Sequence, residues 1–223
     1  MIKLCIFDMD GLLIDSERYM WAESMATAAA EQGKVLTDEL HARIMGLNHA
    51  DESIVMKREL GDDFDTELFF NRTYELNKEI MKNGIPLMKG TIELLEYCKA
   101  NNIKTCIGTR TPRLAATNIL RIDKIDGYFD DMVCGDEVVN GKPNPEIYEK
   151  CFNKFNFDKS EAVVFEDAES GGKAAIGAGI RLVLVPDLAH LSDEIKASAY
   201  KIIDNLSEMI DIIKEENERA TSI

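Results

Sequence analysis

The 223 residues contain no apolar run long enough to span a membrane. Stretches such as Leu182 to Val185 fall far short of the roughly 18 residues required. The first residues, MIKLCIFDMDGLL, do not form an apolar leader, because Asp8 and Asp10 interrupt them and a secretory segment tolerates neither. Cysteine is scarce: Cys5, Cys98, Cys106, Cys134 and Cys151 are an odd set of five without a C-x-x-C. Three of them lie in apolar, strand-like runs, so they read as buried free thiols in a reducing compartment. The three histidines, His41, His49 and His190, fit no metal triad, and none stands at a strand end where a catalytic base would. Basic residues are outnumbered, 26 Lys and Arg against 41 Asp and Glu, for a formal net charge of −15. They are scattered rather than gathered in a stripe, which excludes a nucleic-acid binder. These absences predict a soluble, cytoplasmic protein with no nucleic acid, membrane or obligate protein partner. If its ligand is an anion, a cation or a placed Lys or Arg must overcome the global field locally.

A hydrophobic content of 45% with 30% charged residues is that of a folded globular chain. Short runs rich in β-branched residues recur at 2–7, 104–109, 132–135, 162–166 and 181–186. Their continuous apolar character suits strands buried on both faces of a parallel sheet. Helical patterns lie between them, at 91–100, after Pro145 and at 206–216. In the second, Ile147, Tyr148, Cys151, Phe152 and Phe155 mark one apolar face, with Pro145 suited to the first turn. Strand alternating with helix predicts an α/β fold, a Rossmann-like parallel sheet. Residues 16–84 break the rhythm with helices at 16–32, about 37–45, 51–60 and 66–82, punctuated by Gly33, Gly46, Gly61 and Gly84. The expected organisation is an α/β core of residues 1–15 and 85–223 with an all-helical domain, 16–84, inserted over the carboxyl end of the first strand. That end is where ligands bind in open α/β sheets. The acidic tail EENERATSI is expected to fray.

Four groups of chemically capable residues follow the predicted strands: Asp8 and Asp10, Thr109 with Arg110, Lys142 in the loop 141–143, and Glu166 with Asp167. Singly each has a bland explanation: turn chemistry, a helix N-cap, a solvated lysine, a solvated acidic pair. Together, in neighbouring parallel strands, they would converge. Asp8, Asp10 and Asp167 would repel one another unless a cation lay between them, and oxygen ligands of that kind suit Mg²⁺ rather than zinc. A Mg²⁺ and Lys142 would supply the positive field that a phosphate needs. Asp8 is then a candidate nucleophile and Asp10 a proton donor and acceptor, two residues spaced to share one side of an extended strand.

Other motifs fail. Between Gly135 and Lys142 the glycines are wrongly spaced for a P-loop, and Pro143 replaces its Ser or Thr. Gly171-Gly172 and Gly177-Ala178-Gly179 do not have dinucleotide spacing and suit close helix packing instead. Residues 8–15 begin like an EF-hand, but Tyr19 stands where its Glu is required.

DMDGLLID (8–15), Thr109, GKPNPEIY (141–148) and VFEDAESGGKAAIGAG (164–179) together resemble, in order and over nearly the whole chain, the four motifs of the haloacid dehalogenase-like superfamily. The helical insertion falls where that family has its small α-helical cap, and the β-phosphoglucomutase-like and sugar-phosphatase branch is the closest group. The resemblance implies that Asp8 forms an aspartyl-phosphate and that Asp10 is the general acid and base. It implies Mg²⁺ held by Asp8, the Asp10 backbone carbonyl and Asp167, with Glu166 in or near the shell. Thr109 would bind the phosphoryl oxygens and Lys142 would offset charge at the nucleophile. Family members that cleave C–halogen or C–P bonds lack an acid at the second Asp, so Asp10 points to phosphate esters. Met20 and His49 replace the cap histidine and the second-phosphate arginine of the β-phosphoglucomutases, which favours a phosphatase over a mutase. Arg110 stands where a small residue is usual and is a candidate contact for an anionic part of the substrate. Asp15, Tyr19, His49 and Arg72 are further candidates near the cap entrance. The expected function is a Mg²⁺-dependent phosphatase acting on a small phosphorylated metabolite, a hexose or polyol phosphate. The alternatives are a β-phosphoglucomutase-type phosphotransferase, a non-catalytic binding protein, and a phosphoacceptor signalling domain, which lacks such an insertion.

Overall fold

The structure, a computed structural model, describes residues 1–44 and 49–221. Strands β1 (Leu4–Phe7), β2 (Lys104–Gly108), β3 (Asp131–Val133), β4 (Ala162–Glu166), β5 (Arg181–Leu184) and β6 (Lys201–Ile202) form one sheet in the order β3-β2-β1-β4-β5-β6. Every neighbouring pair is parallel. The α/β fold expected from the sequence is therefore the fold observed. β6 is short and exposed at the sheet edge, so it carries no apolar run to announce it.

Period-two alternation shows how β1 is buried on both sides. Leu4 and Ile6 pack with Ile147, Tyr148, Ala174 and Ala175 in one cluster. On the opposite face Cys5 lies 3.9 Å from Cys98, sulfur to sulfur, and Phe7 stacks on Phe165 at 4.8 Å. All five cysteines are buried free thiols. A side chain of this size contributes about 1.5–3 kcal/mol when fully buried, so a strand hidden on both faces needs no polar alternation.

The chain separates into two compact units, Met1–Asp15 with Pro86–Ile223, and Ser16–Ile85. The second is helical: α1 (Ser16–Tyr19), a π-helical turn (Met20–Met25), α2 (Ala26–Ala30), α3 (Asp38–Ile44), α4 (His49–Leu60) and α5 (Thr66–Asn83). The sequence suggests one helix over 16–32; the helical run is continuous from Ser16 to Ala30, with the π turn inside it, and ends ahead of Gly33 with φ +72°. Phe64, Phe69, Met56, Leu40 and Ala29 form this unit's own core. The Met20 side chain and the expected helix end near 45–46 lie outside the described residues.

The α/β unit adds α6 (Thr91–Ala100), α7 (Arg113–Ile122), α8 (Glu146–Phe152), α9 (Glu169–Gly177), α10 (Asp193–Ser198) and α11 (Met209–Thr221). The expectation of a frayed tail is corrected as far as Thr221. Glu216 accepts hydrogen bonds from Arg181 at 2.8 Å and Tyr200 at 2.9 Å, and Asn217 bonds the backbone of Ile2. Among the described residues no helix is long and apolar enough to cross a membrane.

Candidate active site

The chain starts at β1, builds outward through β2 and β3, then returns to the other side of β1 for β4, β5 and β6. The direction of winding switches beside β1, and the crevice at the carboxyl ends there is the usual ligand site of open α/β sheets. Register fixes what meets in it. Phe7 pairs with both Ile107 and Phe165, so the residues just beyond, Asp8, Thr109, Glu166 and Asp167, emerge at one level. All four are buried, with exposures from 0% to 9%.

Lys142 enters from the loop after β3. Its Nζ lies 2.6 Å from Asp8 Oδ1 and 2.6 Å from Glu166 Oε1, and its side chain is only 3% exposed. Burial pulls this ammonium toward neutrality, but the carboxylates of Asp8 and Glu166 outweigh that pull and hold its pKa above the ordinary lysine range. Glu166 responds oppositely: burial raises its pKa, with the neighbouring Asp8 charge adding and Lys142 opposing.

Carboxylate oxygens of Asp8, Glu166 and Asp167 all lie within 4.8 Å of one another. Asp167 Oδ1 is buried without a hydrogen-bond partner among the described residues. Burial, then the charges of Asp8 and Glu166, push the Asp167 carboxyl up to about 9. A buried acidic group with an orphan oxygen is costly as it stands, and a hard divalent cation fits it through oxygen ligands. The residues present therefore suit Mg²⁺.

Asp10 departs from the expected arrangement. β1 ends at Phe7, and residues 8–14 turn back, with Gly11 at φ +78° and a bridge between Asp10 and Ile14. The Asp10 carboxylate is not in the acidic group, whose third member is Glu166. Its Oδ2 accepts hydrogen bonds from Thr111 Oγ1 at 2.7 Å and Thr109 Oγ1 at 3.3 Å. The Thr109 oxygen in turn accepts the Thr111 amide at 3.1 Å. Thr111 was not legible as a site residue; its only signal was a second hydroxyl two places after Thr109.

Arg110 is exposed and makes no ion pair among the described residues. Its carbonyl packs where a Cβ at residue 135 would stand, so Gly135 is needed there for close backbone approach. In the helical unit, Arg72 is engaged by Glu31 at 2.8 Å and Glu75 at 3.4 Å. The His49 ring stacks on Phe70 at 4.4 Å. Asp15 donates its amide to the Pro86 carbonyl, and Tyr19 is half-buried at the end of α1.

Glu146, in the first turn of α8, folds back on the loop that carries Lys142. Its carboxylate accepts the amides of Val139 at 3.0 Å and Asn140 at 2.9 Å and pairs with Lys150 at 2.7 Å. The Lys150 hydrogen bond, then those two amides, hold the Glu146 carboxyl down to about 2. A depressed carboxylate stabilises the fold above the ordinary Glu range, and that contribution is lost as pH falls through about 2. Glu146→Gln should therefore lower stability in denaturant titrations near neutral pH, with the difference from wild type shrinking steadily below pH ~4.5. A difference independent of pH would refute this account of the loop.

Known proteins place these observations. A phosphorylated carbohydrates phosphatase of Thermotoga maritima is 35% identical over 96% of this chain and 99% of its own length. (DL)-glycerol-3-phosphatase 2 of Arabidopsis thaliana is 32% identical over 82% of this chain and 78% of its own. A crystal structure from Thermotoga maritima, 34% identical, matches with a TM-score of 0.80 over 96% of this chain and 99% of that one. Residues 5–185 match the family described as haloacid dehalogenase-like hydrolase, and the chain belongs to that family.

Proposed function

We propose that the protein is a Mg²⁺-dependent phosphatase of small phosphorylated sugars or polyols, working through an aspartyl-phosphate on Asp8. The observation that carries this reading is the Asp8 carboxylate at the switch point, bound on one oxygen by Lys142 and flanked by Glu166 and Asp167. Relatives named for phosphorylated carbohydrates and for glycerol-3-phosphate support the substrate class.

In this mechanism a carboxylate oxygen of Asp8 attacks phosphorus in line with the departing alkoxide, which takes its proton from the Asp10 carboxyl. Asp10, now ionised, removes a proton from water, and that water attacks the aspartyl-phosphate to free Asp8 and inorganic phosphate. The hydroxyls of Thr109 and Thr111 aim the Asp10 carboxyl through both proton transfers. Lys142 offsets negative charge at Asp8. A bound Mg²⁺, held by Asp8, Asp167 and the Asp10 carbonyl with Glu166 beside them, would supply further positive charge to the transferring phosphoryl oxygens. On the α/β unit, the exposed Arg110 that follows Thr109 is the proposed contact for an anionic part of the substrate.

The test is phosphate release from hexose, polyol, nucleotide and glycolate monophosphates, with Mg²⁺ and with chelator. Metal-dependent turnover strongest on hexose or polyol phosphates is expected. Preference for nucleotides or glycolate phosphate would overturn the substrate class, and turnover unaffected by chelator would overturn the metal dependence.

A further inference from the structure

Tyr148 belongs, by its spacing, to the apolar face of α8, and its ring is fully buried in the cluster that covers the sheet. Its hydroxyl nevertheless leaves that cluster and donates to Glu166 Oε1. The same oxygen receives Lys142 Nζ at 2.6 Å, and the ammonium sits 4.7 Å from the centroid of the Tyr148 ring. Two glycines make the arrangement possible. A Cβ on Gly108, the last residue of β2, would stand 2.8 Å from Tyr148 Cε1. A Cβ on Gly171, in α9, would overlap the Glu166 carboxylate. The fold thus leaves side chains out at two positions so that one tyrosine can reach one carboxylate.

We propose that Tyr148 is a positioning residue: its hydroxyl fixes Glu166 and so sets how the Lys142 ammonium is divided between Glu166 and Asp8. Glu166 Oε1 has two donors, and with the hydroxyl gone only Lys142 remains. The ammonium is then drawn toward Glu166 and away from Asp8, while Glu166 loses one of the two anchors that orient it beside Asp8 and Asp167. Both changes degrade a carboxylate set that must meet a divalent cation, for the same reason that outer partners of metal ligands govern affinity. The part of this inference that concerns metal rests on the proposed Mg²⁺-dependent reading; the coupling between Tyr148 and Glu166 does not.

The experiment uses full-length Tyr148→Phe, Glu166→Gln and the double variant. Calorimetric titration of each protein with MgCl₂, without substrate, should show Tyr148→Phe weakening Mg²⁺ binding about 10-fold. Its KM at saturating Mg²⁺ should be unchanged and its kcat lowered. A packing role is met fully by Phe, so unchanged Mg²⁺ affinity would overturn the positioning role. In chelator, a denaturation cycle over the four proteins should show the two substitutions to be coupled, by about fivefold or more in the unfolding equilibrium constant. Additive effects there would overturn the proposal whatever the metal result. A wild-type protein that binds no Mg²⁺ would sink the metal-dependent reading and the metal part of this one, leaving the cycle to decide the coupling.

Discussion

Asp8→Asn should reduce phosphate release by about 10³- to 10⁶-fold, the loss typical when a covalent nucleophile is removed. The substitution preserves shape and removes only the nucleophilic carboxylate, because an amide oxygen does not displace an alkoxide from phosphorus. Asp8 is buried and its amide is fixed by the Phe165 carbonyl at 3.1 Å, so the backbone at the site should stay in place. Substrate binding should largely persist, since Thr109 and Lys142 remain. Rapid-quench assays with ³²P-labelled substrate should trap a protein-bound phosphate in wild type and none in the variant. A variant within tenfold of wild type would exclude Asp8 as the nucleophile.

Lys142→Met should damage both activity and stability. In wild type the ammonium lies 2.6 Å from each of two buried carboxylates, with a third close by. Removing it leaves buried like charges uncompensated, which costs about 3–5 kcal/mol of stability at neutral pH. Turnover should fall about 10²- to 10³-fold through lost charge stabilisation at the attacking carboxylate. The deficit runs with pH in the same direction as at Glu146, though from the opposite cause: here the variant leaves a carboxylate disfavoured in its charged form. Without the lysine, burial and the neighbouring carboxylate act on Glu166 unopposed by an ammonium, so its pKa, already above the ordinary range, rises further. The deficit is then largest at neutral pH and shrinks as pH falls toward the ordinary carboxylate range. Denaturation of wild type and variant in chelator, at neutral and mildly acidic pH, reads this directly. Equal stability at neutral pH would mean that the lysine does not balance the site.

The strands were legible because burial on both faces leaves a local mark. AVVFE at Ala162–Glu166 is apolar throughout and ends on its carboxylate, and Thr91–Ala100 repeats its apolar residues at helical spacing. Residues that follow such runs were legible as site candidates, because a parallel sheet delivers its strand ends to one edge. Asp8, Thr109, Lys142, Glu166 and Asp167 do come together, although the roles proposed for them are a matter for the variants above. Spacing alone did not show what holds Asp10, because its hydroxyl partners Thr109 and Thr111 stand about a hundred residues further along the chain.

By itself the sequence determined the α/β class and the first five strands of the sheet, since each depends on apolar patterning within a few residues. Tertiary structure alone decided which carboxylates share a cluster, that Thr111 holds Asp10, that Tyr148 spends its hydroxyl on Glu166, and that Arg72 and Glu216 have partners. Thr111 and Asp10 are 101 residues apart, and Lys142 is 134 residues from Asp8. The energy of a polar side chain is set by the atom it faces across the fold, and no local pattern records that atom.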